Sequence, residues 1–150
     1  PRHGKSELAS RRFPAWYLGR NPNKQIIAAS YNSDLSTDFG REVRNIVGSE
    51  EYQCLFDVKL AADSQAANRW HTDDKGMYVA AGVGTAITGR GADILLIDDP
   101  FKDRQEADSV DRNVFIRPRV FPNARVVIIT TFCFFQSALK SSGVLSTICT

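Results

Sequence analysis

Gly4-Lys5-Ser6, preceded by Pro1-Arg2-His3, has the residue types and order of the closing half of a phosphate-binding loop. The complete pattern is G-x-x-x-x-G-K-[ST] opening a helix. This chain begins after the position of the first Gly, so it reads as a fragment that starts inside its own site. The chemistry is that of anion capture. Successive backbone N–H groups ending at a helix N-terminus form a concave anion site. Gly4 lets the backbone approach phosphates with no side chain in the way, and His3 belongs to the same loop. Lys5 would reach the β- and γ-phosphates, and the Ser6 hydroxyl would ligate Mg²⁺. Taken alone, G-K-S is equally an ordinary turn into a helix.

A second chemical signal lies far along the chain. Ile94-Leu95-Leu96-Ile97 is an unbroken apolar run followed by Asp98-Asp99-Pro100. A short run of branched residues suits a strand buried on both faces, as in a parallel sheet. Acids at its end sit at the carboxyl edge, where α/β sheets bind ligands. Asp98 there would hold Mg²⁺ through water on the side facing Ser6, and Asp99 would orient the attacking water. The bland alternative is a turn after a strand, since Asp and Pro both form turns. The order of the two signals, loop first and acidic strand second, favours the ATP- and Mg²⁺-binding reading.

The elements that must position these residues are legible in part. Ser6 to Phe13 reads as the helix after the loop, interrupted at Pro14, with a stop at Gly19 and Asn21-Pro22. Gln25 to Ser30 reads as a buried strand. Leu35, Phe39, Val43, Ile46 and Val47 form one stripe at the helical period. Asn32 or Ser33 can cap that helix and Gly48 can end it, with Asp34, Asp38, Arg41, Glu42 and Arg44 mostly on a solvated face. Val58 and Leu60 suggest a strand, Asn68 to Asp74 a polar turn around Trp70, and Met77 to Val83 another strand. Together they read as a hairpin-like insertion at the sheet edge. The Gly-rich stretch from Gly82 to Gly91 precedes a strand, which fits a backbone-exposed loop better than a second phosphate loop. Phe101 to Arg112 reads as a charged helix. Arg125 to Thr131 reads as a further buried strand, its Thr130 and Thr131 hydroxyls placed to sense a γ-phosphate. The alternation of strands and helices predicts an α/β fold with a parallel sheet.

Bulk properties narrow the class. A chain of 150 residues is long enough for one domain with a real core. The net charge of +2 gives no strong electrostatic footprint for nucleic acid. No apolar run is long enough to span a membrane. Cys54, Cys133 and Cys149 are widely spaced and odd in number, which suits reduced thiols better than a zinc site or a disulfide framework.

The string PRHGKSE, then ASY and a helix, then TGRGADILLIDDPFKDRQEADS, resembles the ATPase domain of the large terminase subunit of tailed bacteriophages and prophages. The resemblance covers roughly residues 1 to 110. It implies a P-loop NTPase-type parallel sheet flanked by helices, here lacking its first strand and its C-terminal part. It implies a partial ATPase domain over residues 1–131, a divergent tail over 132–150, and no nuclease domain. It implies an ATPase using ATP and Mg²⁺ to drive viral DNA into a procapsid in the host bacterial cytoplasm. The partners implied are double-stranded DNA, the portal protein and the small terminase subunit, with a homo-oligomer formed by the complete protein.

By motif, Lys5 and Ser6 carry the phosphate and metal contacts and Asp98 the Walker B role. Arg2 is the candidate for an arginine acting in cis on the γ-phosphate, or else it contacts phosphate or the neighbouring helix alone. Two departures stand out. Asp99 occupies the place of the usual catalytic Glu and is shorter in reach by roughly 1 Å. The family's T-R-W-H coupling motif is replaced by Thr130-Thr131-Phe132-Cys133, and Arg69-Trp70-His71 imitates it only in the hairpin. An inactive prophage remnant is the competing reading, with another P-loop DNA motor such as a helicase behind it. The run VVIITTFCFF also predicts poor solubility of the isolated chain.

Overall fold

β1 (Gln25–Ser30) forms the axis of the molecule, because the two strands flanking it both run parallel to it. The computed structural model describes residues 4–82, 91–99 and 125–129, the last as backbone. Within them β2 (Leu60–Ala66), β3 (Arg69–Thr72), β4 (Met77–Gly82), β5 (Ile94–Asp98) and β6 (Arg125–Ile129) join β1 in one sheet. The order across it is β2-β3-β4-β1-β5-β6. β4, β1, β5 and β6 pair in parallel, while β2 with β3 and β3 with β4 pair antiparallel.

The fold is therefore α/β with a mixed sheet flanked by helices, and the expectation of a parallel sheet is corrected at the edge formed by β2 and β3. The reason is connection length. Only Ala67 and Asn68 join β2 to β3, and only Asp73 to Gly76 join β3 to β4. Parallel neighbours need a crossover of a dozen or more residues. The expected edge hairpin exists, but it is made of β2 and β3. Met77–Gly82 lies inside the parallel block, and Val58 precedes the strand that was expected to contain it. Asn68 to Asp74 is likewise no turn around Trp70, since Arg69 to Thr72 is a strand and Trp70 is fully buried.

The first helical stretch also differs from expectation. Glu7–Arg12 is a π-helical segment that runs directly into α1 (Phe13–Arg20), so Pro14 does not break the helix. The Phe13 N–H reaches back to the Leu8 carbonyl across the wide turn. Pro14 then falls in the first turn of α1, where its missing N–H is tolerated. Insertions of this kind are the usual way a helix absorbs a local mismatch.

α2 (Ser33–Val47) follows the predicted stripe, with the Asn32 side chain accepting from the Asp34 N–H at 2.9 Å. α3 (Glu50–Leu55) was not foreseen. Its cap, Ser49 accepting from the Tyr52 N–H, and the acids Glu50 and Glu51 in its first turn were readable signals.

One face of the sheet packs against the helices. Ile26, Ala28, Tyr78, Ala80, Ile94 and Leu96 meet Leu18, Val43, Val47 and Tyr52 in a single core. Ile27, Ala29, Leu95 and Ile97, which alternate to the other face, are buried too. Burial of both faces explains the unbroken apolar runs of β1 and β5. The π segment is fastened to α2 by Arg11, which pairs with Glu42 and Glu7 and lies 5.0 Å over the Phe39 ring. Glu42 is therefore a packing contact, while Asp34, Asp38 and Arg41 are exposed.

Candidate functional site

The carboxyl ends of β1 and β5 meet at one edge of the sheet, and both expected acids lie there. All five residues of β5 are buried, Asp98 among them at 5% exposure. A buried carboxylate needs partners. One oxygen, Oδ2, accepts a 2.7 Å hydrogen bond from the Ser10 hydroxyl. The other, Oδ1, is buried with no hydrogen-bond partner among the described residues.

Asp99 leaves the strand with φ of +49°, in the left-handed region. Asp is among the few non-glycine residues that tolerate this conformation. The preceding strand geometry ends there, and the Asp99 carbonyl accepts from the Tyr31 N–H at 3.1 Å, tying the tip of β5 to the end of β1. Partial burial, and next the neighbouring Asp98 charge, hold the Asp99 carboxyl above the usual carboxylate range. Strained backbone and a raised carboxyl at one sheet tip are what functional sites commonly show.

The loop side begins at Gly4. Its φ of +69° is open to glycine and strained for any other residue. Its carbonyl accepts from the Leu8 N–H at 2.9 Å, so the helix opens immediately after it. Lys5 is exposed and Ser6 half-buried on the first turn. Ser10 lies four residues beyond Ser6, and residues at that spacing lie on one helix face. The Ser10–Asp98 bond therefore docks the Ser6-bearing helix onto the acid-tipped strand.

Sequence reasoning missed Ser10. The signal was a second small hydroxyl one turn after Ser6, but a Ser in mid-helix carries no message until its partner is known. Arg2 and His3 lie outside the described residues, as do Thr130, Thr131, the Gly-rich stretch from residue 83 to 90, and the expected charged helix from Phe101. The backbone of β6 is described. Ile129 is the register partner of Asp98, and Thr130 is the next residue in the chain. No group of three or more His, Cys, Asp or Glu side chains converges among the described residues.

A family model for the terminase large subunit, T4likevirus-type, N-terminal, matches residues 1–117. The chain belongs to that family. The match spans both the Gly4 turn and the acid-tipped strand, so the two halves of the candidate site fall within the terminase region. This places the chain among DNA-packaging terminases. No curated protein matches it. Among the described residues, no helix of this terminase chain is long and apolar enough to cross a membrane.

Proposed function

We propose that this terminase chain carries the ATP-hydrolysing site of a DNA-packaging motor, on a P-loop NTPase-type sheet. The observation that carries the reading is the docking of a glycine-started helix onto an acidic strand tip, where one buried carboxylate oxygen has no hydrogen-bond partner among the described residues. The parallel order β4-β1-β5-β6, with the acids at its carboxyl edge, supports the fold part of the reading.

The donor set fits a hard cation. Mg²⁺ is ordinarily held by one or two protein oxygens together with substrate phosphates and water. Asp98 Oδ1, without a partner among the described residues, and the Ser6 hydroxyl are such oxygens, and a site of this kind needs no three-acid cluster. Bound Mg²⁺ would supply charge neutralisation at the phosphates. The chain's own residues bind and orient. Gly4 and the N–H groups after it, with His3, cradle phosphate, and Lys5 adds a positive charge. Arg2 is the residue proposed to act on the γ-phosphate, and Thr130 and Thr131 are proposed to sense it. Asp99 accepts a proton from, or orients, the attacking water. Its raised carboxyl makes it more basic than an ordinary Asp, the direction a proton acceptor requires. Double-stranded DNA, the portal protein, the small terminase subunit and further copies of the complete chain are the partners of this reading, in the host bacterial cytoplasm.

The test is a melting experiment with and without Mg²⁺·ATP, on the parent chain and Lys5→Ala. A ligand that binds only the folded state stabilises it by about 2.7 kcal/mol at a hundredfold excess over Kd. The expected result is a raised melting temperature in the parent that the variant loses. An unshifted parent would sink the nucleotide reading and favour an inactive remnant.

A further inference from the structure

We infer that Ser10 is a positioning residue for Asp98, setting which carboxylate oxygen is left for a cation; this rests on the nucleotide-site reading above. The observation is the asymmetry of the buried carboxylate. Oδ2 is bound at 2.7 Å by a hydroxyl that is itself 2% exposed, and Oδ1 has no partner among the described residues. A side chain placed merely to satisfy Asp98 would leave a costly orphan atom. A side chain placed to orient it would occupy one oxygen and leave the other for a ligand.

Two physical consequences follow from that hydrogen bond. First, the terminal torsion of Asp is broad and roughly two-fold, so an unrestrained carboxylate would exchange its oxygens. The donor at Oδ2 removes that exchange. Second, Ser10 sits in the π-helical segment, immediately before Arg11 turns to Glu42 on α2. The same turn thus fastens the helix to α2 on one side and to the β5 tip on the other. Ser10 is not itself a ligand of phosphate or cation; it acts through Asp98.

Ser36 provides the control. It is equally buried, and its hydroxyl is engaged with the Asn32, Ser33 and Ala81 carbonyls at the start of α2. The experiment is a MgCl₂ titration of the ADP-induced shift in melting temperature, for the parent, Ser10→Ala, Ser10→Cys and Ser36→Ala. Removal of a group that orients a metal ligand typically weakens the metal by about 10- to 100-fold. Ser10→Ala is expected to move the Mg²⁺ midpoint up by about tenfold, within that range, with ADP binding in EDTA unchanged. Ser10→Cys, whose thiol is a weak donor, is expected to fall between. Ser36→Ala is expected to lower the melting temperature and keep the parent midpoint.

A parent that shifts with Mg²⁺ while Ser10→Ala keeps the parent midpoint would overturn the inference and leave the nucleotide site standing. If Ser10→Ala does not fold, Ser10→Cys decides, and a parent-like midpoint there overturns it equally. A parent with no Mg²⁺-dependent shift overturns the nucleotide reading and this inference together.

Discussion

The parallel strands that carry the acidic tip and the antiparallel hairpin at the far edge are held in the same sheet by different means. β1, β4 and β5 are buried along nearly their whole length. β2 shows most of its side chains to solvent, and β3 buries only Trp70 and Thr72. The parallel strands β1, β4 and β5 are held by continuous apolar packing. The hairpin is held by a few anchors. Trp70 stacks on Tyr78 at 5.2 Å between ring centroids and donates from Nε1 to the Gly40 carbonyl at 3.1 Å. The Thr72 hydroxyl donates to the Pro22 carbonyl at 2.6 Å and accepts from the Gly76 N–H at 2.8 Å. Rigidity at the site is thus a property of the whole parallel block, whereas the hairpin depends on individual side chains.

The hardest blow to that contrast is Trp70→Ala. Losing a fully buried aromatic costs about 3–5 kcal/mol. Denaturant unfolding followed by hydrogen exchange should show a large loss of stability, with β2 and β3 amides exposed first. Simultaneous loss of protection in β5 would mean that hairpin and parallel block form one cooperative unit, and would break the distinction.

Gly40→Ala sharpens it from the side of α2. An added Cβ would lie 2.5 Å from the Ala67 carbonyl oxygen and 3.2 Å from the Tyr78 ring. The better helix propensity of Ala, about 1 kcal/mol, opposes a clash with backbone that cannot rotate away. Overpacking of this kind costs about 1–3 kcal/mol. The clash should win, and thermal unfolding should show a net loss, with the hairpin again the first part to loosen.

The smallest effects lie within the parallel block, at the two ends of β5, and they have opposite signs. The Asp99 carboxyl is raised, so its folded form resists ionisation. Its favourable contribution is present below the ordinary carboxylate value and lost as pH rises through the folded value. Asp99→Asn should therefore raise stability slightly at neutral pH, by less than about 1 kcal/mol at this partly exposed position, read as a small rise in melting temperature, and Asn tolerates the left-handed backbone.

Asp93, just before β5, is the reverse. Burial pushes its carboxyl up, but the Gln25 N–H and Lys24 outweigh it and leave the group lowered. That contribution is present above the ordinary value and lost as pH falls through the lowered one. Asp93→Asn should lower the melting temperature slightly at neutral pH, and the difference from the parent should vanish in acid. Equal and like-signed effects of the two variants would contradict the assignment of one acid to the site and the other to the scaffold.

The stripe from Leu35 to Val47 and the run from Ile94 to Ile97 were legible because burial imposes a period, or its absence, on apolar residues. The Asn32 cap and the stop after Arg20 were legible because those signals are local. Pro14 misled because a π turn absorbs it, a solution that depends on what the helix packs against. Trp70 misled because polar neighbours hid a strand whose single buried ring is claimed by α2.

The sequence by itself determined the order of the Gly4-Lys5-Ser6 turn and the acidic strand, and the alternation that makes an α/β fold. These rest on residue type and near-neighbour spacing. Only the tertiary structure decided that the sheet is mixed, that Arg11 joins Glu42, and that Ser10 meets Asp98 across 88 positions of chain. A hydroxyl and a carboxylate so far apart carry no mutual periodicity. Their pairing is set by where the π-helical segment comes to rest against the end of β5.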